Sequence, residues 1–400
     1  QISLQGDTNL RLSFTKSLSQ KVALPFRVSG MLDFTGNTLN VHVANMSMQD
    51  LKGMISFNED GAYGENLSAS LYGAELALSA KALGAGASEL YFNGEFDLDA
   101  YISSQFPQFT PFVYGQTPIQ GSLYLPSMFE QDNPEKLILK VASQLHGVEI
   151  NLPHPMQKSA SESLATELLF DQKQAVMRWQ FADKASLLFS MAEKKPFNLR
   201  LIEFGQYSGN QYKLPENLKL VGKIDRLPIE SWLTTYQEYN AELARLKIDN
   251  INYGLPVLDL YIQTLDWSPW PAQYMSLQAA MDDDDYLLAI SSSLGTGRVQ
   301  WPQLADAPIV FDMEEFTVHH NEQQSEQSLD PNTLPAFVFK AKRFQLKDKL
   351  IREVDLTAQS IHDGLFFSDI NFAVEDLQAH GQGSWRHIDK DNIWSEFSFD

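Results

Sequence analysis

The sequence predicts a mainly β chain, built of antiparallel strands with few helices. Three observations carry that reading. Apolar residues recur with a period of two rather than 3.6. Clusters of Gly, Asn, Asp and Pro interrupt the alternation at short intervals. Only two stretches have helical spacing.

Taken in chain order, turn signals at 35–38 (TGNT), 58–64 (NEDGAYG) and 84–88 (GAGAS) divide the first part into strand-length pieces. Leu98 to Gln105 suits a short helix. Leu137, Leu139 and Val141 then form a further period-two set. Val148, Ile150 and Leu152 alternate with Glu149 and Asn151, and Pro153 and Pro155 stop that strand because proline cannot donate to a ladder. Met177, Trp179 and Phe181 alternate with Arg178 and Gln180. Phe197, Leu199 and Leu201 alternate with Asn198 and Arg200, ahead of the turn signal YSGN at 207–210.

The best helix runs from Pro228 to Lys247. Proline near its start lacks only an N–H that would be unpaired there. Ile229, Trp232, Leu233, Tyr236, Leu243 and Leu246 share helical spacing. Phe337 and Phe339 begin a further strand. Phe366, Ile370, Phe372 and Val374 share one parity, with Ser368 the polar exception, while Asp369 and Asn371 hold the other. These strands read as sheet with one apolar and one wet face. GSLYLP at 121–126 and GRVQWP at 297–302 hint at internal repetition. HHNEQQSEQSLDPNTLP at 319–335 reads as an exposed polar excursion.

Composition narrows the function classes. Apolar residues make up 44% of the 400, enough for a large buried surface. The net charge of −21 disfavours nucleic acid, which needs a basic face, and adsorption to anionic membranes. It suits an apolar-rich β protein kept in solution. There is no cysteine, so disulfides, thiolate metal sites and cysteine nucleophiles are excluded. No run reaches the eighteen or more apolar residues of a membrane span. The start at Gln1 and the stop after WSEFSF are expected to be cuts from a longer chain, any membrane anchor lying outside it.

Four features could carry chemistry, and each has a plainer reading. Asp282 to Asp285 could bind calcium but lack the spaced ligands and glycine of a calcium loop, so a hairpin tip is expected. His319 and His320 would point to opposite faces of an extended chain. His380 and His387 flank GQGSW, read as a Gly-rich turn between strands. WSPWP at 267–271 could be an aromatic platform but reads as a rigid loop over a sheet edge. No phosphate-cradling, zinc-protease or serine-hydrolase motif is present. No enzyme activity, cofactor or metal is expected.

The segment VASQLHGVEINLPHPMQKSA at 141–160 resembles the central part of YhdP-type members of the AsmA-like family of bacterial envelope proteins. LVGKIDRLPIESW at 220–232, DPNTLPAFVFKAKRFQL at 330–346 and FFSDINFAVEDLQAHGQGSW at 366–385 resemble it in the same order. LKGMISFNEDGAYGENLSASLYGAELALSA at 51–80 resembles the broader AsmA-like pattern. The resemblance implies an elongated, curved antiparallel β-sheet forming an open apolar groove, with a few short helices. Residues 1–89, 90–254 and 255–400 would be successive segments of one continuous unit. The implied function is bridge-like phospholipid transport between the inner and outer membranes of a diderm cell. Implied partners are phospholipid acyl chains and components of both membranes, and the implied location is the periplasm, anchored to the inner membrane through a segment outside this chain. Candidate groove-lining residues are the parity sets given above: Leu137, Leu139, Val141, Met177, Trp179, Phe181, Phe197, Leu199, Leu201, Phe337, Phe339, Phe366, Ile370, Phe372 and Val374.

Periodicity alone does not separate an open groove from a sandwich whose apolar face a second sheet covers. A second function class stays open: an envelope scaffold that binds proteins by strand addition. A hydrolase using paired carboxylates is a third, with no pair fixed at a useful separation.

Overall fold

The computed structural model describes residues 2–16, 27–41, 46–127, 136–191, 198–205, 214–248, 254–267, 270–283, 285–304, 307–318, 331–347, 349–374, 377–389 and 392–400. Among these lie twenty-five strands in one sheet and two α-helices. β1 (Ile2–Gln5) and β2 (Thr8–Thr15) pair with opposite halves of β3 (Arg27–Val41). An antiparallel meander follows: β4 (Met46–Asn58), β5 (Gly61–Leu71), β6 (Ala74–Gly84), β7 (Ala87–Asp97) and, after α1 (Leu98–Gln105), β8 (Val113–Leu125). The Asp97 carboxylate accepts the Ala100 N–H at 2.9 Å and so starts α1, at the bounds the sequence predicts.

β9 (Ile138–Ser143) and β10 (Val148–Ile150) both pair with β8. The sheet continues from β9 through β11 (Thr166–Asp171), β12 (Val176–Phe181), β13 (Ala185–Ser190) and β14 (Asn198–Phe204). β15 (Lys219–Pro228) and, after α2 (Ile229–Leu246), β16 (Val257–Asp266) are each parallel to the strand before. β17 (Ala272–Asp282), β18 (Asp285–Ser292), β19 (Gly295–Pro302) and β20 (Ile309–Val318) return to antiparallel pairing. β21 (Phe337–Leu346) is parallel to β20, and β22 (Lys349–Ile361), β23 (Gly364–Val374), β24 (Leu377–Asp389) and β25 (Asn392–Phe399) close the run.

The three parallel junctions depart from the antiparallel pairing that alternation suggests. A parallel neighbour needs a connection of a dozen or more residues to bring the chain back to its starting rim. The connections 205–218, 229–256 and 319–336 have that length. At the first junction only glycine fits: Gly222 has φ +110°, and a Cβ there would lie 2.1 Å from the Phe204 carbonyl oxygen.

The sheet is open rather than folded into a globule. Its accessible surface is 24978 Å². A compact monomer of 45.2 kDa would expose about 15,800 Å². At about 4.8 Å per strand the pairing direction runs on the order of 105 Å along the sheet. Bulges in β3, β4, β5, β14, β22, β23 and β24 bend it on the way. The strand ends form two rims. Rim 1 gathers Asp97, Val113, Thr166, Phe181, Phe204, Pro228 and Asp266; rim 2 gathers Ala87, Leu125, Asp171, Val176, Ser190, Lys219 and Val257. No described helix is long and apolar enough to cross a membrane.

Candidate functional site

Strand register defines the site. Starting at Leu67, cross-strand partners can be followed on one face without a break to Phe399. Leu67 faces Leu78, Leu78 faces Phe92, Phe92 faces Gly121, and Gly121 faces Val141. The row continues through Leu168, Trp179, Leu187 and Ile202. It crosses the first two parallel junctions at Leu220 and Leu258. Ala279, Leu288, Val299, Phe311 and Phe339 carry it onward. Leu356, Ile370, Gly381 and Phe399 complete it. No member is charged or carries a polar side-chain group except the Trp179 indole, whose N–H is donated to Thr166 Oγ1 at 2.8 Å.

Packing follows this row. Leu67, Leu78, Phe92, Leu123, Leu139, Phe170 and Met177 form one buried cluster. Ile224, Leu260, Ile262, Leu265 and Ala272 form a second, and Met313, Ala341 and Val354 a third with Phe311, Phe339 and Phe372 against it. Phenylalanine rings run along the last strands: Phe311–Phe339 at 6.4 Å, Phe339–Phe316 at 5.6 Å and Phe372–Phe399 at 5.7 Å. The other face is wetter, with cross-strand ion pairs Lys342–Glu314 at 2.7 Å, Arg343–Glu315 at 2.5 Å and Arg178–Glu167 at 3.7 Å. A shallow concavity of about 660 Å³ is lined by Lys219, Val257, Ala280, Leu287, Arg298 and Val310 together with the row members Leu258, Ala279, Leu288 and Val299.

Most candidate lining residues fall on the row's face. Leu139, Val141, Met177, Trp179 and Phe181 share it, and Leu137 is buried just ahead of β9. Leu199 faces Phe189 on it. Phe337 stacks edge-on to Phe311 at 6.3 Å, and Phe339, Ile370 and Phe372 line it, with Val374 half-buried at the end of β23. Phe197 lies outside the described residues.

Two candidates turn away. A bulge opposite Leu188 and Phe189 sends Leu201 to the other face, buried against Leu188, and puts Ile202 in the row. A bulge between Phe367 and Ile370 leaves Phe366 exposed on the wet face. Phe367 takes the inner position, 5.6 Å from Phe397. Leu187, Leu220, Leu258, Leu288 and Val299 were not among the candidates. Each looks like any strand residue until its partners are known.

The plainer readings of the other motifs are also placed. Asp282 and Asp285 pair at a hairpin end, as expected. GQGSW is not a turn: His380 and His387 lie inside β24, where Gly381 and Gly383 leave room for the Phe399 and Phe397 rings. Trp267 and Trp270 meet edge-to-face at 5.6 Å in the β16–β17 connection, so this loop joins neighbouring strands instead of covering an edge. His319 and His320 and most of the 319–335 excursion lie outside the described residues. Among the described residues no group of three His, Cys, Asp or Glu could hold a metal.

The family profile described as YhdP protein matches residues 1–400. The chain belongs to the YhdP family. Neither a curated protein nor a solved structure matches it significantly. For this YhdP-family chain the distinctive structure is a single long sheet in which one cross-strand row of non-polar residues runs unbroken from Leu67 in β5 to Phe399 in β25.

Proposed function

We propose that this chain is a stretch of a bridge that carries phospholipid between the inner and outer membranes of a diderm cell. Acyl chains lie along the apolar row, and headgroups stay in water at a rim. The observation that carries this reading is the continuity of the row from Leu67 to Phe399 across every strand junction. A sheet needing only a core could let its apolar face lapse between clusters.

The physical benefit is constant along the path. Each methylene exposed to water costs about 0.8 kcal/mol, so a two-tailed lipid is held back wherever its cover stops. A continuous row removes that barrier at every step. No bond is made or broken, and no side chain acts as acid, base or nucleophile. The lining residues act as interchangeable apolar surface. Inner- and outer-membrane components would meet the full-length protein at its two ends, placing this stretch in the periplasm.

The test is a pair of charges on the row's face. Leu199→Asp with Phe372→Asp should stop lipid passage, while the two alanine substitutions should change it little. Normal lipid movement through the folded aspartate variant would refute the proposal.

A further inference from the structure

The two rims of the sheet are not equivalent at its middle. β12 runs from the turn 172–175 at rim 2 to the turn 182–184 at rim 1. At rim 1 a second layer lies over the apolar row. Leu145, Val148 and Ile150 pack on Phe181, with Trp179 and Leu187 of the row against them. Val148 and Ala185 have no exposed surface at all.

That layer is held as a unit. The N–H groups of Ile150 and Lys158 donate to each other's carbonyls at 2.8 and 3.0 Å. Leu164 N–H donates to the Gln144 carbonyl at 2.7 Å and closes a flap, 144–164. The buried Lys158 ammonium donates to the Val148 carbonyl at 2.7 Å inside it. α1 contributes Leu98 beneath the flap. α2 bridges outward from it: Trp232 Nε1–H donates to the His154 carbonyl at 3.0 Å, Tyr239 stacks on Phe109 at 5.5 Å, and Ile229 packs on the Ile224–Ile262 cluster of the row's face. At the other end of β12, Lys173 and Gln174 are exposed, and the described residues place no helix over that rim.

We infer that, through β10 to β16, lipid lies in the trough with its headgroup at rim 2 and that rim 1 is closed to headgroups. This rests on the lipid-bridge reading and adds an orientation to it. A phosphate headgroup is charged and hydrated, and at rim 1 it would meet the apolar flap packing, where the two lysines, Lys158 and Lys184, already donate to the backbone carbonyls of Val148, Ser159 and Gln157. At rim 2 it meets turn 172–175, whose Lys173 and Gln174 are exposed to solvent. The flap and α2 thus act as a guide that keeps every passing lipid facing the same way.

The test uses the unaltered chain. It is loaded from vesicles containing phosphatidylethanolamine that carries a diazirine either on the headgroup or midway along an acyl chain. After illumination, labelled residues are mapped by peptide mass spectrometry. The expected result is headgroup label on turn 172–175 at ten-fold or more over turn 182–184, the flap and α2, with acyl label on row residues such as Leu168. Headgroup label of equal or greater intensity at 182–184, on the flap or on α2 overturns the inference. So does acyl label on the row with no headgroup label at 172–175. Absence of acyl label from the row would instead sink the lipid-bridge reading itself.

Discussion

Changing Leu287 and Leu288 to aspartate, one at a time, should give opposite outcomes. The two are neighbours in β18 and equal in chemistry, and only parity separates them. Leu288 sits in the row between Ala279 and Val299. Leu287 is 39% exposed on the wet face beside Gln300. A carboxylate at 288 would draw water over about one strand spacing, ~4.8 Å of path. That length holds roughly four methylenes in each of two tails, so the added barrier is about 6 kcal/mol at ~0.8 kcal/mol per methylene. Such a barrier is more than about four orders of magnitude in rate. Swinging of the side chain toward a rim relieves part of it, so a loss of at least about a hundred-fold is expected, since ~2.7 kcal/mol remains. The assay is exchange of fluorescent phospholipid between donor and acceptor vesicles, with circular dichroism to confirm folding. Leu287→Asp should exchange lipid as the parent does. Equal exchange by both folded variants would refute the reasoning, because the face of the sheet would then not matter.

Three further outcomes follow from local structure. Gly222→Ala should destabilise by about 3 kcal/mol or more in denaturant titration, since a Cβ meets the Phe204 carbonyl at 2.1 Å in a backbone conformation that L residues avoid; a loss under about 1 kcal/mol would show that the parallel junction yields easily. Burial, and then the nearby Tyr72, push the Tyr101 hydroxyl up to about 12, so its contribution is complete below the unfolded value of about 10 and is lost as pH rises from about 10 to about 12, up to ~2.7 kcal/mol. In Tyr101→Phe that part of the alkaline loss should vanish, and an unchanged alkaline profile would contradict the assignment. Trp232→Phe removes the hydrogen bond to His154, worth about 1 kcal/mol, and should speed amide exchange in α2 but not in β15; unchanged exchange in α2 would mean that this bond does not hold the helix to the flap.

Features set by one segment alone were legible in the sequence. α1 starts where Asp97 can cap it and was readable at its observed bounds, and α2 (Ile229–Leu246) falls within one residue of its expected span at each end. Strand alternation located β9, β12 and β14. What depends on a partner was not legible. A bulge shows only against the neighbouring strand, so alternation alone does not reveal that Leu201 and Phe366 lie opposite the row while Ile202 and Phe367 lie on its face. Gly381 and Gly383 resemble a turn until β25 supplies the two rings they accommodate. Leu233 and Tyr236 have helical spacing yet stay exposed, because α2 packs through Ile229, Trp232, Tyr239 and the buried Leu243 instead. The row itself is a property of register, so single-strand periodicity could supply its members but not its continuity.

The most direct test of the central claim is mass spectrometry of organic extracts from the purified chain, set against a mock purification. The account predicts phospholipid at one or more molecules per chain, retained on the apolar row. A well-folded chain free of lipid would contradict it.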